Sequence, residues 1–205
     1  MKTLKEFDHK KATQAINFLA RKEGGKIDKL KVIKLIWLAD RYHLRKYGRP
    51  IVNDIYFAMP YGPVASSVKD LTSFNFLGDD GDGEEKYLSE YLKQEPGHKI
   101  SSIKESDTDV FSETDIETLD KIYEKYGSYK ASQLVKISHE FPEWKKFKRA
   151  LEARTITRGP ISYSDFFSNP SGKIPGENIF NEPQEQLRTS KELFEENYKI
   201  ANCWV

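Results

Sequence analysis

Ser138, His139 and Glu140 set a hydroxyl, an imidazole and a carboxylate side by side, the residue types of a nucleophile, its base and the acid that orients the base. Their spacing denies them that role, because adjacent residues on a helix point about 100° apart and cannot form a relay by themselves. His139 suits a helix end, where its partial positive charge complements the dipole. His9, His43 and His98 are scattered, and no histidine pair has zinc-helix spacing. The chain also lacks a Gly-x-Ser-x-Gly elbow and a Walker-type phosphate loop. Residues 78–85 form a Gly/Asp/Glu run that invites a calcium reading. If Gly83 is the turn glycine of an EF-hand, the first and twelfth ligand positions fall on Gly78 and Ser89, neither of which carries a carboxylate. The run therefore reads as a solvated acidic loop. No catalytic residues, metal ligands or cofactor are expected, and the protein reads as a binding protein and not as an enzyme.

The residues suited to binding lie on one helix, predicted over residues 28–47 with Asp28 as N-cap, Ile27 stapling onto Val32, and Gly48 with Pro50 ending it. Ile33, Ile36, Trp37, Asp40 and Leu44 share one apolar stripe. An ionised carboxylate within that stripe needs partners, so Asp40 is expected to be buried and hydrogen-bonded to an arginine, a tyrosine or the amides of the Tyr61-Gly62 turn. Lys31, Lys34, Leu38, Arg41, Tyr42 and Arg45 share the opposite face, which mixes positive charge with apolar area. This face, with Tyr61 at its edge, is the expected contact surface for an acidic partner protein, and reversing Arg41 and Arg45 to Glu is expected to leave the fold intact.

Around that helix the pattern predicts further elements. Ala12, Ala15, Ile16, Leu19 and Ala20 have helical spacing after Asp8, and Gly24-Gly25 stops them. Residues 51–59 read as a short strand or hairpin arm, Tyr61-Gly62-Pro63-Val64 as a turn, and Pro63 or Ser66 as the start of a third helix through Val68, Leu71 and Phe74. Ser112-Glu113-Thr114-Asp115 resembles a capping box before a helix that runs to Gly127. Shorter helices fit residues 130–139 and 142–153, the latter with Trp144, Phe147 and Leu151 on one face. Residues 159–183 are loop-rich, and a final amphipathic helix fits residues 185–201. The expected fold is mainly α, a compact helical domain of about six to seven helices. Its small antiparallel β-sheet is to be assembled from residues 55–59, 100–103 and 155–161.

A chain of 205 residues is the size of one domain. Its longest apolar run, Val32 to Ala39, contains Lys34 and falls well short of a membrane span, so no membrane association is expected. The N-terminus lacks the pattern of a secretory signal, and a cytoplasmic location is expected. The lone Cys203 excludes an internal disulfide and a cysteine metal cluster. The net charge is +1, but it is unevenly spread: residues 1–49 hold 14 Lys or Arg against 5 Asp or Glu, and residues 79–120 hold 4 against 14. Surfaces of opposite sign are expected. The basic N-terminal quarter keeps a DNA-binding autoregulator open as an alternative, disfavoured by the near-zero total and by the want of a separate helix-turn-helix.

Lys34-Leu35-Ile36-Trp37-Leu38-Ala39-Asp40-Arg41-Tyr42-His43, Tyr47-Gly48-Arg49-Pro50-Ile51 and Met59-Pro60-Tyr61-Gly62-Pro63-Val64 resemble, in order and spacing, the Panacea (SocA-like) antitoxin domain. Phe111-Ser112-Glu113-Thr114-Asp115, Tyr126-Gly127 and Ser138-His139-Glu140-Phe141-Pro142-Glu143-Trp144 extend the likeness over residues 9–160 and leave 161–205 as a C-terminal extension of a single domain. The family commonly has tyrosine where Trp37 stands, a change that keeps an aromatic knob. Trp37, Asp40, Gly62, Pro63 and Trp144 fall in these stretches as structural residues. The resemblance implies an antitoxin of a type II-like toxin–antitoxin system that neutralises a cognate toxin by direct protein–protein binding. Some relatives are adaptors that deliver the toxin to a protease. The acidic loop near Asp79 and the tail after Asn169 lie outside the recognised stretches and are candidates for partner-specific features.

Overall fold

The computed structural model describes residues 7–75, 81–170, 174 and 179–203. Its centre is helix α2, Lys29–Tyr47, in which every residue from Lys31 to Arg45 is buried. Asp28 caps it by accepting the Lys31 N–H, and Gly48 closes it at φ +70. Helix α1 (His9–Lys22), capped by Asp8, packs along one side. Short helix α3 (Ser66–Thr72), then α5 (Glu113–Tyr126), α6 (Ala131–Ser138) and the long C-terminal α9 (Gln184–Cys203) cover the others. Ser112 and Asp115 form the expected capping box of α5.

Strands β2 (Tyr56–Met59) and β3 (Gly62–Ala65) form a hairpin across the Pro60-Tyr61 turn, so Tyr61-Gly62-Pro63-Val64 is half turn and half strand. Strand β6 (Gly159–Ile161) adds to the other edge of β2, as expected for residues 155–161. Residues 100–103 do not join this sheet. Strand β5 (Lys99–Ser102) lies instead between β1 (Lys26–Asp28) and β4 (Leu92–Glu95) in a second antiparallel sheet. The three-residue β1, wedged between two helices, is too short to show an alternating pattern.

The acidic run also departs from expectation. From Gly81 it belongs to helix α4 (Gly81–Tyr91); residues 78–80 lie outside the described residues. Glu84 and Glu85 fall early in the helix, where carboxylates complement the dipole, and Leu88 and Tyr91 are buried. The helix expected over 142–153 breaks at Lys146 and Phe147 into α7 (Pro142–Lys145) and α8 (Lys148–Glu152). Nine α-helices are thus present among the described residues, together with a 3-10 turn over Tyr163–Phe167. The fold is mainly α with two small sheets, and one core runs from Ala12 to Phe194.

Candidate partner-binding site

Asp40 is fully buried, as its place in the apolar stripe requires. It accepts hydrogen bonds from the Ile51 N–H at 2.8 Å, the Val52 N–H at 3.0 Å and the Tyr56 hydroxyl at 2.8 Å. The tyrosine was among the expected partners, but the amides belong to the segment just after α2 and not to the Tyr61-Gly62 turn. Burial raises its carboxyl to about 6, against the lowering effect of those three donors. Asp40 thereby fixes the path of the chain into the hairpin.

The expected basic face of α2 is not a surface. Lys31, Lys34, Leu38, Arg41, Tyr42 and Arg45 are all buried, because α2 is wrapped on every side. Each cation answers to acceptors inside the protein, as burial demands. Lys31 Nζ donates to the Gly127 carbonyl at 2.6 Å and pairs with Glu23. Arg41 Nε donates to Glu143 Oε1 at 2.9 Å, and its guanidinium lies over the Phe141 and Phe180 rings. Burial nevertheless leaves the Glu143 carboxyl raised. Arg45 donates to the Phe166 carbonyl at 2.7 Å, the Phe180 carbonyl at 2.8 Å and Glu182 Oε2 at 2.8 Å. The Tyr42 hydroxyl accepts from Lys121 Nζ at 2.8 Å. Reversing Arg41 and Arg45 to Glu would therefore set carboxylates against carboxylates and carbonyls in the core, and the fold would not survive it. Of that expected surface only Tyr61, 69% exposed, faces solvent.

The two charge-biased segments meet instead of forming separate surfaces. Lys11 and Arg49 both pair with Asp115, at 2.6 and 3.0 Å, Lys22 pairs with Asp120 at 2.6 Å, Arg21 with Glu105, and Lys26 with Glu95 at 3.6 Å. Burial alone would raise the Asp115 carboxyl, but the Lys11 and Ser112 hydrogen bonds and the nearby cations outweigh it and hold it low. His43 is locked beside it, with Nδ1 2.7 Å from the Arg49 carbonyl and Nε2 3.0 Å from Thr114 Oγ1. Burial lowers its ring to about 4.

Beneath the hairpin, residues distant in sequence converge. Lys34 Nζ donates to the Pro63 carbonyl at 2.6 Å, and Trp144 Nε1 donates to the Met59 carbonyl at 2.8 Å. At Gly62, φ is +94, and an added Cβ would lie 2.1 Å from Ser138 Oγ; only glycine fits. Ser138 donates to the Val135 carbonyl at 2.8 Å, and His139 stacks on Trp144 with ring centroids 3.6 Å apart. Ser138 and His139 thus support the hairpin and form no relay. Trp37, fully buried, meets Phe141 edge-on at 4.8 Å. This clamp holds the tip of the hairpin, with Tyr61 on it, at the edge of an open groove of about 940 Å³.

Ile33, Val64 and Leu151 form the groove floor with Leu30, Met59 and Ile156, and the wall is completed by Pro60 and Tyr61. Lys29, Lys69, His98 and Arg154 stand on its rim, with Asp28 as its one acidic residue. The sequence patterns drew attention to Tyr61 but not to the rest of the groove, whose walls come from segments far apart in the chain. Among the described residues no group of three or more His, Cys, Asp or Glu side chains is arranged to hold a metal ion.

The family model described as antitoxin SocA-like, Panacea domain, matches residues 32–145, more than half of the chain. The chain belongs to that family. The match begins at Val32 in the first turns of α2 and ends at Lys145 in α7, so the Panacea region contains Lys34, Asp40, the hairpin, Ser138 and Trp144, the whole of the clamp. The C-terminal segment after it is packed onto the Panacea region through Arg45 and α9. The comparisons with curated proteins and with solved structures give no match. No helix among the described residues is long and apolar enough to cross a membrane.

Proposed function

We propose that this Panacea protein is the antitoxin of a type II-like toxin–antitoxin pair and neutralises its cognate toxin by direct contact, without catalysis. The family match carries this reading. The clamp beneath the hairpin supports it, because Lys34 donates to the Pro63 carbonyl, Ser138 donates to the Val135 carbonyl and packs against Gly62, and the His139 ring stacks on Trp144, so that these side chains hold a projecting aromatic in place. A DNA-binding role is disfavoured by the pairing of the basic N-terminal quarter with the acidic segment, which removes the charge that phosphate contacts need.

The test is co-expression with the product of the adjacent reading frame. The protein is expected to restore growth to cells expressing that product and to co-purify with it as a stable complex. Growth restored without a complex, together with loss of the toxin through a protease, would replace neutralisation by contact with delivery for degradation. Failure to restore growth at all would overturn the antitoxin reading.

A further inference from the structure

We propose that the groove between the start of α2, the hairpin tip and the segment after α8 docks a stretch of the partner protein in which large apolar side chains are flanked by carboxylates. The identity of that partner as a toxin rests on the antitoxin reading above; the chemistry of the groove stands on the following observations.

The floor is apolar. Ile33, Val64 and Leu151 are nearly closed off from solvent yet still line the groove, and Leu30, Met59 and Ile156 beside them are half-buried. Tyr61, 69% exposed on a clamped turn, is a large aromatic whose position is already fixed, the property that makes an anchor effective.

The rim carries positive charge that no carboxylate of the described residues pairs with; Lys10, Lys34 and Lys46 also have no such pair, but Lys10 lies over the Tyr87 ring, Lys46 over the Tyr42 and Tyr47 rings, and Lys34 is buried on the Pro63 carbonyl. Along residues 1–49, Lys11, Arg21, Lys22, Lys26, Lys31, Arg41, Arg45 and Arg49 all pair with carboxylates of this chain, whereas Lys29 has none within 4.0 Å among the described residues. Arg154, across the groove, likewise has none, and Lys69 pairs only with its exposed neighbour Asp70. Asp28, the one rim carboxylate, is occupied as the α2 N-cap. His98 and Arg154 also have positive φ, 58° and 56°, which holds the rim backbone in a conformation that neighbouring contacts must maintain. An acidic, apolar segment would cover the floor and meet Lys29, Lys69 and Arg154 together. A second copy of this chain is a poorer occupant, because a two-fold contact through this face would bring the like-charged rims together.

The full-length protein would be used to select binders from a displayed library of random peptides, and the enriched peptides measured by fluorescence anisotropy. Lys29→Glu/Arg154→Glu and Tyr61→Ala alter the groove at accessible positions. Lys136→Glu/Lys199→Glu changes the net charge equally at exposed sites outside it. Circular dichroism would confirm that each variant is folded. Peptides rich in apolar residues with flanking Asp or Glu are expected, with affinity falling at least about tenfold in both groove variants and little in the control. The groove variants are also expected to lose neutralisation of the adjacent-gene product.

No enrichment, enrichment of basic peptides, or equal binding by the groove variants would overturn the inference. Neutralisation undiminished in the groove variants would overturn it while the antitoxin reading stands. Groove-dependent peptide binding by a protein that neither binds nor neutralises the adjacent-gene product would overturn that reading and support the groove's chemistry. A dimer in sedimentation that Tyr61→Ala dissolves would assign the groove to a second copy and overturn the inference.

Discussion

Arg41 and Glu143, 102 residues apart in sequence, meet with both side chains closed off from solvent and Nε 2.9 Å from Oε1. The pair ties the central helix to α7 inside the Panacea region, with the guanidinium lying over the Phe141 and Phe180 rings.

Removing one member of such a pair strands the other charge in the core. Arg41→Met or Glu143→Leu is expected to cost about 3–5 kcal/mol. Arg41→Met/Glu143→Leu, which restores apolar volume and strands no charge, is expected to cost far less than the two single changes combined. Urea unfolding of the four proteins closes the double-mutant cycle, and additive costs would show that the two side chains contribute independently.

Asp40 invites a finer test, because its role is to accept. Asp40→Ala leaves the Ile51 and Val52 amides and the Tyr56 hydroxyl without their buried acceptor, an expected loss of about 1–3 kcal/mol. Asp40→Asn keeps one oxygen for the amides, and the tyrosine hydroxyl can turn to accept from the new amide, so it is expected to lose clearly less. Thermal melts that rank Asn no better than Ala would mean that the negative charge, not the hydrogen-bonding geometry, holds the segment.

Some of this was legible in the sequence and some was not, for a physical reason. Asp8, Asp28 with Gly48, and Ser112 with Asp115 mark helix ends through contacts within a few residues, so the pattern places them correctly. Asp40 could be placed in the core because its helical stripe is a local property. Arg41 and Arg45 could not. Their acceptors Glu143, Phe166 and Glu182 arrive more than 100 residues later, and until they are known an arginine reads as solvated. Helix α4 hid in a Gly/Asp/Glu composition typical of loops, and the groove has no sequence signature because its walls come from separate segments.

Lys34 gives the protein a distinctive response to pH. It is fully buried with the Pro63 carbonyl as acceptor, and burial lowers its ammonium from the ordinary 10.5 to about 7. Between those values the unfolded chain holds a proton that the folded protein has released, so stability attributable to this residue rises with pH across the window; below about 7 both states are protonated and the full cost of burying the charge is present. Lys34→Met lacks this dependence. Its stability relative to the parent is expected to be most favourable at about pH 6 and to decline towards about pH 10. Loss of the Pro63 contact shifts the comparison by a constant and leaves the trend. Denaturation midpoints that run parallel across the range would mean that Lys34 stays charged in the folded protein.

Arg45 governs how the C-terminal segment is held. Its guanidinium, closed to solvent, gathers the carbonyls of Phe166, Ser168 and Phe180 and the carboxylate of Glu182, fastening the end of the 3-10 turn and the residues just ahead of α9 to the central helix. Arg45→Ala would leave the Phe166 and Phe180 carbonyls and the Glu182 carboxylate without their donor, while the Ser168 carbonyl keeps Arg41 Nη2, at an expected cost of about 3–5 kcal/mol. Much of that cost can be relieved locally if the segment lifts away and water replaces the lost donor. Amide hydrogen exchange should then show faster exchange through α9 and the 3-10 turn, with α5 and the β4–β5 hairpin still protected. Arg45→Lys should fall between, since one ammonium cannot reach acceptors spread across the planar fork of a guanidinium. Equal loss of protection throughout the chain would show that the segment and the Panacea region open as one cooperative unit, and unchanged exchange in α9 would show that Leu187 and Phe194, buried on its inner face, hold it without the arginine.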